Sequence, residues 1–326
     1  MAIRASKILR RSIFTFLQNY QYFTTTAAFL AFPFAASLLL LRSSFLIPAA
    51  SSSSSFLRLI HARIHSLFHA AGFPPSSILE AKISQTISIS LLAVPFTISS
   101  YLFSKASVIY ALRDQERPKN PSFSGVFEIY RPLIHTHICN SFLTLAANAT
   151  CFSLMFIAVN LANGLGFSSS LGRDIVLSAT GAVGFSIVLA NSFIICNLAL
   201  IISGMEKNGG MIAALKACSV MVKGRRSCIV PTALSLAVQV NAALAAVEVL
   251  FQYRVVLRAY DDDEGSGVLY VALEGMFIAY LYAVLLVLDT IVGCFFFTDC
   301  HRIIQDGKRL SKPFLDEIDY QEYNDC

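Results

Sequence analysis

The sequence predicts an all-α, polytopic integral membrane protein, a helical bundle of six transmembrane helices with interfacial amphipathic helices. Three observations predict it. Hydrophobic residues fill 56 % of the 326 positions and charged residues only 14 %, with a mean hydropathy of +0.64, whereas a soluble domain carries about 25 % charged residues. Six runs are continuously apolar over the roughly 20 residues a helix needs to cross a ~30 Å hydrocarbon core. Lys and Arg concentrate in alternate connections between those runs, the pattern that sets membrane orientation. This composition excludes a large water-soluble domain and a disordered chain. With 8 Cys spread along the chain, a disulfide scaffold is excluded too. The runs do not alternate in polarity, so helices, which satisfy their own backbone hydrogen bonds in lipid, are favoured over a β-barrel.

The elements follow in order. A basic arm, 1–23, holds Arg4, Lys7, Arg10 and Arg11. One membrane domain, 24–297, contains spans at 24–41, 83–103, 142–161, 175–202, 229–251 and 268–297, and a tail occupies 298–326. Of the 25 Lys and Arg, 18 fall in the arm, the connections after the second and fourth spans, and the tail. The positive-inside rule therefore places both termini in the cytosol and the acidic cluster Asp261, Asp262, Asp263 and Glu264 on the far side. No Asp or Glu precedes Glu80. A secretory signal cleaved near Ala50 and an organelle transit peptide are the alternative readings of this region. The plasma membrane and the endoplasmic reticulum both suit the chain, with an organelle membrane as the alternative.

Between the spans, five serines at 51–55 form a flexible link before an amphipathic helix at 56–71. Leu57, Ile60, Ile64 and Leu67 share its apolar face, and His61, His65 and His69 lie on another, which suits the outer interface. Imidazoles four residues apart can share a metal, but no carboxylate or Cys nearby completes the set. Neither a metal nor another cofactor is expected. A second interfacial helix spans 210–222, where Met211, Ile212, Leu215, Val220 and Val222 are apolar. Lys216 within it, and Lys223, Arg225 and Arg226 just beyond it, are candidates to meet anionic headgroups, at ~1 kcal/mol each near the surface. The chain has no Trp; Tyr20, Tyr22, Tyr101, Tyr110, Tyr253 and Tyr270, near span ends, are candidates for the interfacial aromatic belt.

Inside the spans, one echo recurs. Leu30-Ala31-Phe32-Pro33-Phe34 followed by Ser37 matches Leu92-Ala93-Val94-Pro95-Phe96 followed by Ser99. Each places a helix-breaking proline within a span. Coincidence between two apolar segments explains such a match, and paired broken helices also mark transporter sites. Three carboxylates, Glu248, Glu274 and Asp289, lie in the last two spans. A charge at the bilayer centre costs roughly 3 kcal/mol on insertion scales, which makes such residues candidates for transport. Glu248 and Glu274 sit near the outer ends, where water reaches them, and Asp289 about two turns from the inner end at Phe297. Cys294 and Cys300, near the inner end of the last span, are candidates for palmitoylation. No P-loop, nucleophile elbow, zinc-protease helix or CxxC pair is present. The expected function is thus a non-enzymatic membrane scaffold or regulator. Its partners would be membrane lipid, including anionic headgroups, and a cytosolic protein, with no nucleic acid. The alternative is a small-solute or ion transporter that uses Asp289 with the proline-bearing spans.

Three stretches carry a resemblance: Ser107 to Phe127, with Val108-Ile109-Tyr110 before a basic loop and Ser122-Phe123-Ser124; Gly210 to Arg225; and Phe295-Phe296-Phe297-Thr298-Asp299-Cys300-His301. Together they resemble a family of six-span plant membrane proteins without a settled function, some labelled as binding a polyadenylate-binding protein. The second stretch is also similar to the Ala-Leu-Lys and Lys-Gly signature of the bacterial YciC-like and glycerophosphodiesterase-type membrane domains. The resemblance covers roughly residues 84–312 and implies topology and a membrane location. It brings no catalytic residue with it, and the His-rich outer helix departs from the family pattern.

Overall fold

A computed structural model describes residues 2–46, 62–63, 66, 92–113, 123–164, 171–206, 210–224, 229–256 and 268–324. Most of the expected outer helix at 56–71, the start of the second expected span at 83–91, and the acidic cluster at 261–264 lie outside the described residues. Among the described residues there is no strand. We number the helices α1 (Ala2–Gln18), α2 (Tyr20–Thr26), α3 (Phe32–Leu46), α4 (Leu92–Arg113), α5 (Phe123–Gly164), α6 (Leu171–Glu206), α7 (Met211–Gly224), α8 (Ile229–Phe251) and α9 (Val268–Asn324).

Five segments among the described residues are long and apolar enough to cross a bilayer: Tyr20–Arg42, Leu92–Arg113, Ala179–Glu206, Pro231–Val255 and Tyr270–Ile303. The third expected span, 142–161, forms the C-terminal half of α5, where several side chains lie outside the described residues. At ~1.5 Å per residue, the 42 residues of α5 and the 57 of α9 are each far longer than a ~30 Å core. Their ends must extend beyond it.

The chain divides into two compact units. Unit A comprises Met1–Ser12, Ile109–Ala237 and Thr290–Cys326; unit B comprises Ile13–Val108 and Val238–Asp289.

In unit A, α5 and α6 pack antiparallel. Thr136 meets Ser203 hydroxyl to hydroxyl at 2.9 Å, and Asn140 Nδ2 donates to the Cys196 carbonyl at 2.8 Å. As one helix index rises the other falls, which fixes the direction. Small residues permit the approach: Gly204 faces Ile109 and Leu133, and Gly293 of α9 faces Ile201. Gly210 adopts φ +69°, the left-handed region open to glycine, and its N–H donates to Thr136 Oγ1 at 2.9 Å. That turn leads directly into α7. The basic arm is more ordered than its charge alone suggests: 2–18 is a helix whose residues Ala5, Ile8, Ser12 and Thr15, at helical spacing, are buried. Within unit A its Arg11 guanidinium lies 4.6 Å from the centre of the Phe295 ring, a cation–π contact.

In unit B, both proline motifs adjoin a π-helical turn. One is Ala27–Ala31, ahead of Pro33; the other is Thr97–Tyr101, just after Pro95. A proline offers no N–H to the carbonyl four residues earlier and crowds it; for Pro33 that residue, Phe29, lies inside the π turn, whereas for Pro95 the π turn begins two residues after the proline. Hydroxyls then bond carbonyls in the second motif: Thr97 donates to Ala93 at 2.8 Å and Ser99 to Pro95 at 2.6 Å. The two π turns pack against each other. Phe34 stacks on Tyr101 with ring centres 4.7 Å apart, and the Tyr22 hydroxyl donates to the Ser107 carbonyl at 3.1 Å. The first two spans are therefore antiparallel. Of the six belt tyrosines, Tyr20, Tyr253 and Tyr270 are exposed at span ends. Tyr22 and Tyr101 turn inward instead, and Tyr110 packs over Gly125.

Candidate functional site

Unit B holds charged groups both within its spans and at their ends. Asp289 lies near the midpoint of the apolar segment Tyr270–Ile303. It is therefore deeper than the expected two turns from an end at Phe297, because the apolar helix runs on past that residue. Two turns earlier on the same face, Tyr282 is 5 % exposed.

Lys105 is the group that sequence reasoning misplaced. It was expected in the loop after the second span, whereas α4 continues to Arg113 and buries Lys105 to 1 % exposure. Its ammonium lies 4.9 Å from the centre of the Tyr101 ring, one turn away on the same helix. Lys105 and Asp289 are thus charges of opposite sign within the spans of one compact unit. Both charges are engaged by protein groups. A signal was present: Ser104, Ala106 and Ser107 surround Lys105, and all are buried. Small residues of this kind mark a helix face made for close packing, not a loop.

The two other carboxylates are ion-paired. Glu248 binds Arg42, and Glu274 lies 3.5 Å from Arg254. Their side chains are 18 % and 21 % exposed, so they are less open to water than their position near the outer ends implied. Each pair joins residues at span ends: Arg42 and Glu248 close the first and fifth expected spans, and Arg254 and Glu274 flank the connection from fifth to sixth. A partly buried carboxylate needs such a partner. The pairs thus brace that end of unit B and leave Asp289 as the deep acid.

In unit A, α7 has two distinct faces. Ala213 and Ala217 are fully buried, whereas Met211, Ile212 and Leu215 are 58–70 % exposed. The small residues seat the helix on the protein and the large apolar ones point away from it. Lys216 does not project freely toward headgroups, because its ammonium pairs with Glu206. Lys223 closes the helix, and its side chain, like the whole of Arg225 and Arg226, lies outside the described residues. Cys294 and Cys300 are 3 % and 2 % exposed. This corrects their reading as palmitoylation sites, since an enclosed thiol cannot receive an acyl chain without displacing its neighbours. Among the described residues no three His, Cys, Asp or Glu side chains converge as metal ligands.

Apolar spans, a short helix with an exposed apolar face and charges paired inside the bundle define a multi-pass, all-α membrane protein. The chain belongs to the family described as Domain of unknown function (DUF8558), whose model matches residues 4–306. No curated protein and no solved structure matches it.

Proposed function

We propose that this protein is a non-enzymatic membrane scaffold or regulator that engages the cytosolic leaflet through α7. One observation carries the reading: Met211, Ile212 and Leu215 are exposed on the face opposite the buried Ala213 and Ala217. α7 is 14 residues long, too short to cross the bilayer, and it joins two segments that are long enough. A short helix held between spans with its large apolar side chains outward fits the boundary between headgroups and acyl chains. The basic residue Lys223 lies at its end and Arg225 and Arg226 follow it, where anionic headgroups would attract them.

The absence of Trp from the chain provides the test. A Leu215→Trp variant carries a single reporter. In vesicles, its emission should shift to the blue and be quenched by lipids brominated high on the acyl chain, more strongly when anionic lipid is included. Emission typical of water, or quenching indifferent to bromine depth and lipid charge, would contradict the proposal.

A second reading, transport of a small solute or ion through a membrane-buried carboxylate, is favoured by one observation. Asp289 lies near the middle of its span.

A further inference from the structure

We propose that α1 is a docking site for anionic phospholipid, with Lys7 and Arg10 meeting headgroup phosphates and Phe14 and Leu17 entering the boundary with the acyl chains. The site is built from α1's own residues and is independent of α7. α1 is one continuous helix, so the relation among its residues is set by the helix alone. Residues three and four positions apart share a face. One face holds Ala5, Ile8, Ser12 and Thr15, which are 0–6 % exposed. The opposite face holds Lys7, Arg10, Phe14 and Leu17, and all four are exposed, Phe14 to 67 % and Leu17 to 62 %.

This distribution is inverted relative to a helix that lies against protein in water. There the large apolar side chains turn inward and the hydroxyls outward. In α1 two hydroxyls lie on the packed face, where Ser12 donates to the Ile8 carbonyl at 2.9 Å. The largest apolar groups point away from it. Lipid over the outer face accounts for the inversion, and charge selects the lipid: α1 carries Arg4, Lys7, Arg10 and Arg11 and no acidic residue. An apolar and basic face of this kind is attracted to anionic headgroups.

Position agrees with this. Leu17 and Phe14 lie three and six residues before Tyr20, where the first apolar segment begins. At ~1.5 Å per residue they stay within about 9 Å of it along the helix. Regular helix geometry is interrupted between them and the span, since Asn19 has φ −115° and ψ 36° against a helical ψ near −42°. An upright α1 would carry Lys7 about 20 Å beyond Tyr20, some two Debye lengths from the surface charge. Instead, Arg11 lies 4.6 Å from the centre of the Phe295 ring, inside the apolar segment Tyr270–Ile303. This turn of α1 therefore runs beside a membrane-crossing helix, which keeps Arg10 and Lys7 in reach of headgroups.

Because the chain has no Trp, Phe14→Trp places a single reporter on this face. The full-length variant is reconstituted in vesicles of phosphatidylcholine and phosphatidylglycerol, with bromine on the acyl chains of one lipid or the other at equal mole fraction. Emission should shift to the blue, and bromine high on the chain should quench more than bromine near its end. Brominated phosphatidylglycerol should quench more than brominated phosphatidylcholine, with a local preference of about fivefold for each engaged basic group. Lys7→Gln with Arg10→Gln should bring the preference close to one, and Lys7→Arg with Arg10→Lys should keep it. Both positions are exposed, so these changes leave the packed face intact. Emission typical of water overturns the proposal. So do stronger quenching from deep bromine, equal quenching by the two lipids, and a preference that survives loss of both charges. The reporter at residue 14 reads α1 alone, so its failure is distinct from a failure of Leu215→Trp on α7.

Discussion

Replacing Gly204 by Ala should destabilise the protein, and the same replacement at Gly184 should stabilise it. A Cβ at Gly204 would lie 2.7 Å from Ile109 Cδ1, 3.2 Å from Ile109 Cγ2 and 3.2 Å from Leu133 Cδ1. The Cδ1 atoms can swing aside, but Ile109 Cγ2 is fixed to a β-branched carbon and moves only if χ1 or the helix moves. Ile109 and Leu133 are both fully buried, so there is little room to yield. Overpacking of this kind costs about 1–3 kcal/mol, and replacing a mid-helix glycine returns about 1 kcal/mol. The net is a loss of about 1 kcal/mol. At Gly184 a Cβ meets nothing within 4 Å, so the helix term stands alone and favours the variant by up to about 1 kcal/mol. The two variants should then differ by about 2 kcal/mol, or about 4 °C in Tm at roughly 2 °C per kcal/mol. Helical circular dichroism followed through a thermal ramp in one detergent reads this directly. Labelling of Cys294 and Cys300, buried in the folded state, provides a second probe. Equal melting temperatures, or a Gly204→Ala variant that melts above Gly184→Ala, would refute the packing argument.

Three further outcomes are expected. Arg42→Gln and Glu248→Gln should each lower stability by about 1 kcal/mol, less than a fully buried charged hydrogen bond because Arg42 is partly exposed. The double variant should lose less than the sum, which a double-mutant cycle measures. Thr136→Val removes the acceptor for the Gly210 N–H and the contact with Ser203. It should cost about 1–3 kcal/mol and speed proteolysis between α6 and α7. Lys216→Ala breaks an exposed pair with Glu206 and should change stability by less than about 1 kcal/mol, within a degree or two of the wild-type Tm.

Fold class was legible because apolar content and run length follow directly from the cost of exposing backbone and charge to lipid. Residues Pro231–Val255 overlap the expected 229–251, a run whose one charged residue is Glu248. The second span was misread because Lys105 ended the apolar count early. A cation in sequence looks like a loop until the structure shows it buried within the helix, its ammonium over a ring one turn away. The same limit hid the pairing of Arg42 with Glu248, 206 residues apart in sequence. The arm at 2–18 was read by charge, although Ala5, Ile8 and Ser12 already repeat at helical spacing. The proline echo was visible in sequence, but the packing of its two π turns is a tertiary fact. For α7, period and composition identified the helix, yet not which residues face outward: Ala213 and Ala217 are the packed side because small residues allow close seating, and that choice depends on what they seat against.

The central claim is that this polypeptide crosses the bilayer repeatedly, with α7 and the start of α5 on the same side. Single cysteines placed at the exposed residues Ser124 and Ser219 in a chain otherwise without reactive thiols test it through labelling by an impermeant reagent, with Tyr270 as the opposite-side marker. The account predicts that Ser124 and Ser219 label together from one face and Tyr270 from the other, which requires α5 to cross along with the five segments described above. Labelling of Ser124 and Ser219 from opposite faces would show that α5 does not cross, and labelling of Ser219 and Tyr270 from the same face would contradict the crossing of Pro231–Val255.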